Sequence, residues 1–460
     1  MGILTQILGL LLSLTILVIL HELGHFLFAR LFRTRIEKFY LFFNAWFSII
    51  RFIKINNIWH AKLFSKNKKD KDAEYEKTEF GIGWIPLGGY VKISGMIDES
   101  LDVEQMKKPP QPWEFRSKPA WQRLLIMLAG VIVNFLLALC IYSMILYTWG
   151  KEYVPSQNAR FGVVCDSLAL DIGIRNGDKI LYVDTFRIER FIEVSSHILI
   201  DNARTITIER NKDTLVIDIP RDFSQRMIAK KVSMLVDFSF PFIIDSVLPG
   251  NPAQKAGLKK NDKLVAIDNF QTPSAFEFIN RLDQFRDSTV LLTVDRNGTL
   301  ENYSLQVTSQ GKIGVACRQA ESFFETKKIT YSFLSSIPAG ITLGVETLVS
   351  YIKQMRLVFT REGAKQLGGF GTIGSIFPKS WNWPMFWNMT AFLSVILAFM
   401  NILPIPALDG GHVMFLSWEI ITGRKPGDKF LEYAQIAGMV ILFSLLIYAN
   451  FNDIWRWIHG

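Results

Sequence analysis

The residues best equipped for chemistry stand at His21-Glu22-Leu23-Gly24-His25. Helical residues four apart share a face, so His21 and His25 can hold one metal ion while Glu22 lies one residue round, near a metal-bound water. This is the HExxH arrangement of zinc hydrolases, in which two neutral imidazoles and one oxygen ligand leave a fourth position open for water. Glu22 is then the base that takes the water's proton. On a soluble helix the same five residues would read as a surface His-Glu pair. Here Ile3 to Leu20 is almost wholly apolar and Phe26-Leu27-Phe28 continue the run, enough for the roughly 20 residues a bilayer requires. Ionisable groups in such a segment are costly and usually functional.

A third ligand must come from elsewhere in the chain. Asn401-Ile402-Leu403-Pro404-Ile405-Pro406-Ala407-Leu408-Asp409-Gly410-Gly411-His412 closes another apolar segment. Its prolines and glycines must interrupt the helix, and broken backbone at membrane depth is tolerated only where protein or water satisfies it. Asp409 supplies the missing oxygen. His412 and Asn401 compete for that role, but a carboxylate better completes a two-histidine zinc site.

The elements that must position these residues follow from hydropathy and charge. Apolar segments recur near Leu124 to Trp149, Met385 to Leu403 and Ile436 to Tyr448, giving four membrane helices with the first. Arg30, Arg33, Arg35 and Lys38 follow the first helix, and Arg116, Lys118 and Arg123 precede the second, so their connection is expected to be cytoplasmic. The long central region then faces outward, and Arg424, Lys425 and Lys429 return the loop before the last helix to the inside. Both motifs thereby lie late in segments that run from outside to inside. No small-residue cleavage site follows the first apolar run, which reads as a retained anchor and not a signal peptide. The formal charge of +9 over 460 residues flanks membrane segments or alternates with acids, as in Lys66 to Lys77, and so argues against nucleic-acid binding. That run reads as a solvated loop. Of three cysteines, Cys140 lies in an apolar segment, and a bridge between Cys165 and Cys317 stays open.

Between the first two helices, Phe80 to Ile93 is aromatic and β-branched, punctuated by Gly and Pro. It reads as a short β-hairpin or loop dipping toward the membrane, whose unpaired edge could take an extended substrate strand. In the second helix, Gly130 permits close helix contact, and the lone amide of Asn134 must face protein or water.

From Lys151 to about Ala320 strand-like alternation appears, with an internal repeat. Ala169-Leu170-Asp171-Ile172-Gly173-Ile174-Arg175-Asn176-Gly177-Asp178-Lys179-Ile180 matches Ala253-Gln254-Lys255-Ala256-Gly257-Leu258-Lys259-Lys260-Asn261-Asp262-Lys263-Leu264, and Asp184 and Phe186 match Asp268 and Phe270 in register. The pattern resembles the PDZ domain, a small β-rich module that receives peptide ends or strands. Tyr331 to Phe359 reads as an amphipathic helix on the outer membrane surface, since a fifth crossing would move the cationic loop around Arg424 outside. Gly368 to Gly374 lacks the Lys-Ser/Thr ending of a phosphate loop and reads as a hinge or surface turn.

Together these motifs resemble the site-2 protease family of intramembrane zinc metalloproteases, most closely bacterial RseP-type members with two outward PDZ domains. The resemblance spans nearly the whole chain. It implies a polytopic α-helical membrane protein with four transmembrane helices, a membrane-associated β-hairpin and two inserted PDZ domains. Expected domains are 1–150, with the HExxH helix, hairpin and second helix; 151–235 and 236–322, the PDZ pair; 323–383, an outer-surface helix and connection; and 384–460, with the NxxPxPxLDG motif. It further implies one Zn2+ held by His21, His25 and Asp409, with Glu22 as catalytic base. Asn134, Asn401, Gly88, Gly89, Tyr90, Pro404 and Pro406 would contact substrate. The implied reaction is hydrolysis of peptide bonds within or beside transmembrane helices, such as those of anti-sigma factors already cut outside or of signal-peptide remnants. The protein would lie in a bacterial inner membrane, with PDZ domains outside and the site toward the cytoplasm. A metal-dependent transporter would not need Glu22 beside the ligands, and a PDZ scaffold would leave the HExxH and Asp409 without purpose.

Overall fold

In a bilayer every backbone polar group must be satisfied within the chain, so the apolar runs form long helices. The computed structural model describes residues 2–55, 57–66, 78–86, 88–96, 109–319 and 322–459. They form two compact units, one of residues 1–150, 330–355 and 365–460 and the other of 151–329 and 356–364. Residues 67–77 of the expected solvated loop, and Leu87, lie outside the described residues.

Within the first unit the helices are α1 (Gly2–Leu31), α2 (Ala120–Thr148), α3 (Phe333–Val358), α4 (Phe370–Ser375), α5 (Trp383–Ile402), α6 (Asp409–Thr422) and α7 (Asp428–His459). α2 is the hub, packing against α1, α5 and α6. Close approach of α1 and α2 depends on glycine: a Cβ on Gly24 would stand 2.7 Å from the Ala129 carbonyl, and one on Gly130 would enter the rings of His21 and His25. Ile126, Met127 and Ala29 seal this crossing on the side of Arg30, while Ala138, Ile141, Ala391 and Val395 seal α2 against α5.

Five helices among the described residues are long and apolar enough to cross a membrane: α1, α2, α3, α5 and α7. The sequence reading counted four and laid Tyr331 to Phe359 on the surface. α3 has the lowest hydropathy of the five. It starts where Phe333 meets Tyr147, at the end of α2, and packs Gly340 on Ser143 and Gly344 on Leu139, antiparallel to α2. Tyr351 then sits edge-on to Phe392 and Phe399 of α5.

The glycine-rich Gly368–Gly374 segment is a docking point. Asp453 of α7 accepts from Gly369 N at 3.0 Å and Thr372 N at 2.9 Å, while Arg456 bridges Asp453 and the Leu367 carbonyl. Gln6 of α1 donates to the Phe377 carbonyl at 2.8 Å. The start of α1 and the end of α7 therefore meet one short stretch of chain.

The expected hairpin of residues 80–93 is replaced by a five-stranded sheet. β1 (Ile36–Leu41), β2 (Phe47–Ile55), β3 (Ile58–Lys66), β4 (Glu79–Ile82) and β5 (Tyr90–Ile93) lie in the order β3-β2-β4-β1-β5. β1 inserts between β4 and β5, parallel to the first and antiparallel to the second. The true hairpin is β2–β3, turning near Asn57, whose φ of 64° suits an asparagine turn. Among the described residues β5 is an edge strand.

In the second unit the sequence repeat becomes a structural one. Strands Lys179–Val183, Thr205–Arg210 and Asp213–Asp218 form one antiparallel sheet, and Lys263–Ile267, Thr289–Arg296 and Thr299–Gln306 form its counterpart, each over its own apolar core. Helices Phe191–Ile200 and Ala275–Asp283 carry Glu193 and Glu277 at the capping position. The motif aspartates do the same work twice. Asp178 accepts Arg210 at 2.7 Å and the Arg175 amide at 2.8 Å; Asp262 accepts Arg296 at 2.6 Å and the Lys259 amide at 2.8 Å. Cys165 and Cys317 are free thiols, so no bridge joins them. Burial pushes the Cys165 thiol up to about 12.

Candidate metal centre

Asp409 owes its position to an interrupted helix. α5 stops at Ile402, residues 403–408 form a tight loop, and Asp409 opens α6. The residues after it must be small: a Cβ on Gly410 would overlap the Leu403 carbonyl, and one on Gly411 would stand 2.6 Å from Pro406. α1 meanwhile presents His21 and His25 one turn apart.

These three side chains converge. Asp409 Oδ2 lies 3.1 Å from His21 Nε2 and 3.3 Å from His25 Nε2, and the two Nε2 atoms are 3.2 Å apart. A tetrahedral zinc with bonds of about 2.0–2.1 Å has ligand-ligand edges of about 3.3 Å, so the triangle fits one face of such a site. Asp409 Oδ2 is buried and makes no directed hydrogen bond despite those neighbours, which is the mark of an oxygen waiting for a cation. Among the described residues this is the group of His, Cys, Asp and Glu able to share a metal; His412 lies on the same cavity wall but outside the triangle.

The histidines are held by partners of their own. His25 Nδ1 donates to the Ile126 carbonyl at 2.8 Å, which leaves the Nε2 lone pair free to ligate. The Asn134 amide sits 3.2 Å from His21 Nδ1, and its Oδ1 is otherwise buried without a partner. Amide orientation is fixed by the network it serves. Turning Oδ1 onto an Nδ1–H satisfies both atoms and leaves His21 Nε2 free. Ser394 on α5 donates to the Asn134 carbonyl at 2.7 Å, locking this stretch of α2.

The triangle faces a cavity of about 470 Å³ whose wall includes Glu22, Asn134, Asn401, Asp409 and Gly88 to Ile93. Glu22 is thus on the same space as the ligands, together with Val91 of strand β5. Asn401 Nδ2 lies 3.3 Å from His21 Nε2, at the metal side of the ring. Gly88, Gly89 and Tyr90 line the cavity, with Tyr90 stacked between Tyr40 and Phe43; Pro404 and Pro406 shape the loop and are not on the wall. Gln435 of α7 reaches the same wall and was missed from the sequence. It stands just before the apolar run of Ile436 to Tyr448, with Glu432 three residues back, so no local signal sets it apart.

Comparison with known proteins gives a family and named relatives. The model of "Peptidase family M50" matches residues 9–63 and 62–445. A Xylella fastidiosa protein named "Putative zinc metalloprotease" is 27% identical over 96% of this chain and 97% of its own. The Haemophilus influenzae "Regulator of sigma E protease" is 26% identical over 96% of this chain and 97% of its own.

Proposed function

We propose that this chain, which belongs to Peptidase family M50, is a multi-pass membrane zinc metalloprotease that hydrolyses peptide bonds within or beside transmembrane segments. The observation that carries the reading is the His21-His25-Asp409 triangle, with edges of 3.1–3.3 Å, sharing a cavity with Glu22 inside a bundle of apolar helices. Zinc in that triangle would polarise the scissile carbonyl and make water acidic enough to lose a proton near neutral pH. Glu22 takes that proton and returns it to the leaving amine. Glu22 and Val91 line one cavity, which sets the base beside the strand that would meet the substrate.

A helical peptide bond hides its carbonyl, so the substrate must unwind before attack. Among the described residues β5 has no partner on its outer side, and this edge, on the same cavity as Glu22, suits an extended segment, since main-chain hydrogen bonds accept many side chains. Asn401 would then meet the substrate backbone, as the family resemblance implies, whereas Asn134 serves His21. A transporter reading leaves Glu22 and the strand edge unexplained.

The protein sits in a bacterial inner membrane with four crossings. Support comes from the start of α1 and the end of α7, which meet the same 367–377 segment. Ends on one side require an even number of crossings, so one of the five eligible helices does not complete its passage; α3, the least hydropathic, is that one. With cationic loops inside, Lys151 to about Trp383 is outward and the metal centre lies toward the cytoplasm. The two repeats, with their duplicated Asp-Arg pairs, are PDZ modules that control which substrates reach the site, docking them or excluding those with bulky outer domains. Substrates are membrane proteins, anti-sigma factors or signal-peptide remnants among them.

The test is metal content: purified protein should hold one zinc per chain, and His21→Ala or Asp409→Ala should lose it. Full zinc retention by both variants would remove the assignment.

A further inference from the structure

α7 touches the metal centre without contributing a ligand. Over its 32 residues the described side chains are mostly exposed, and the two buried positions are Gln435 and Gly438, one turn apart. Both face the loop that aims Asp409. A Cβ on Gly438 would overlap the Pro406 carbonyl, so α7 approaches the loop at backbone distance there. Gln435, only 5% exposed, accepts the Ala407 amide on Oε1 at 3.1 Å.

The loop's own hydrogen bonds explain why that contact matters. Pro404 and Pro406 have no N–H. Ile405 N donates to Leu403 O at 2.7 Å, Leu408 N to Ile405 O at 3.1 Å and Leu403 N to Met400 O at 3.2 Å. Ala407 is the loop amide turned outward, because its φ of 77° puts it in the left-handed region that an L side chain avoids. An amide in this interrupted stretch needs a partner fixed in place, and without one the residue has every reason to relax. Relaxation at Ala407 would redirect the chain entering α6, and Asp409 is two residues on.

We propose that Gln435, seated by Gly438, is a positioning residue for the metal centre: it holds Ala407 in its left-handed conformation and thereby fixes where the Asp409 carboxylate points. This rests on the zinc reading above. Because only backbone conformation is transmitted, the defect caused by losing Gln435 should be curable at Ala407, where glycine adopts the same φ without help.

The experiment measures zinc affinity of the full-length protein in detergent by competition with a chromophoric chelator, and the visible spectrum of the cobalt-substituted protein. Wild type must bind zinc and His21→Ala must not; failure of that control speaks against the zinc reading itself. Given the control, Gln435→Ala and Gln435→Met should weaken zinc by roughly 10–100-fold, the scale of outer-sphere partners, and alter the cobalt spectrum, while helical content stays unchanged. Gln435→Glu, which keeps an acceptor, should stay within about 3-fold of wild type, as an outer-sphere partner retained. Adding Ala407→Gly to Gln435→Met should restore affinity to a similar margin. Methionine keeps the bulk, so this variant answers the question even where alanine prevents folding. Wild-type affinity in Gln435→Met, or a loss that Ala407→Gly leaves untouched, would overturn the proposal.

Discussion

At the scale of single residues, the metal centre separates ligands from the groups that aim them. His21 and His25 each have one nitrogen toward the Asp409 carboxylate and the other on a fixed partner, Asn134 and the Ile126 carbonyl. The sequence resemblance assigns Asn134 to substrate; Asn134 lines the cavity and its amide also stands 3.2 Å from His21 Nδ1, and we propose that it holds that ligand ring. The two roles predict different kinetics. Asn134→Ala should weaken zinc by roughly 10–100-fold, while Asn134→Asp, which keeps an acceptor for Nδ1–H, should bind near wild type. A substrate-contact role would instead raise KM with zinc affinity unchanged. Titration of both variants with zinc, followed by kinetics at saturating metal, distinguishes them. Gly130 is equally exacting: no larger residue fits between the two imidazoles, and Gly130→Ala should abolish zinc retention on purification.

At the scale of elements, two predictions test how strands and loops serve the site. If the β5 edge holds the substrate extended, a peptide carrying one backbone N-methyl group beside the cleaved bond loses about one hydrogen bond, ~1 kcal/mol. KM should then rise by about 5-fold with kcat little changed, and an unchanged KM would place the substrate elsewhere. In the second repeat, burial alone would raise the Asp262 pKa. Hydrogen bonds from Arg296 and the Lys259 amide, with the charges of both side chains, outweigh it and hold the carboxyl below its ordinary 3.8. A depressed carboxylate contributes stability above its unfolded pKa that is lost as pH falls through the folded one. Hydrogen exchange in this repeat should therefore accelerate below about pH 4, and Asp262→Asn should remove that pH dependence at a cost of about 1–3 kcal/mol, since Arg296 loses its buried carboxylate partner and keeps Glu301 at 3.1 Å. The elements also show where sequence stops being informative. Helices, the broken 403–408 loop and the duplicated repeat were legible because their signals are local. The sheet was misread because β1 pairs with β4 across some forty residues of chain, in parallel, and non-local pairing leaves no turn between its partners to recognise. Gln435 is not legible in the sequence because it stands at the polar start of α7, and only the packing against the 403–408 loop buries it.

At the scale of the whole molecule, soluble modules and a membrane catalyst are joined in one chain, and topology decides what each can reach. In a cysteine-free background, membrane-impermeant thiol reagents should label Ser309→Cys, at an exposed position of the second repeat, in intact cells and spare Ser65→Cys, whereas the reverse pattern would invert the protein. Deleting residues 151–320 should leave zinc bound and a short membrane peptide cleavable, while selection among full-length substrates changes. What sets a protease apart from a bare metal site is chemistry at depth. The most direct measurement is the product mass released from a short transmembrane peptide by the full-length protein in liposomes, wild type against Glu22→Gln, at matched zinc content. Wild type should cut within or at the edge of the membrane segment, and Glu22→Gln should hold the same zinc and release nothing. Cleavage by Glu22→Gln at the wild-type rate would contradict the account.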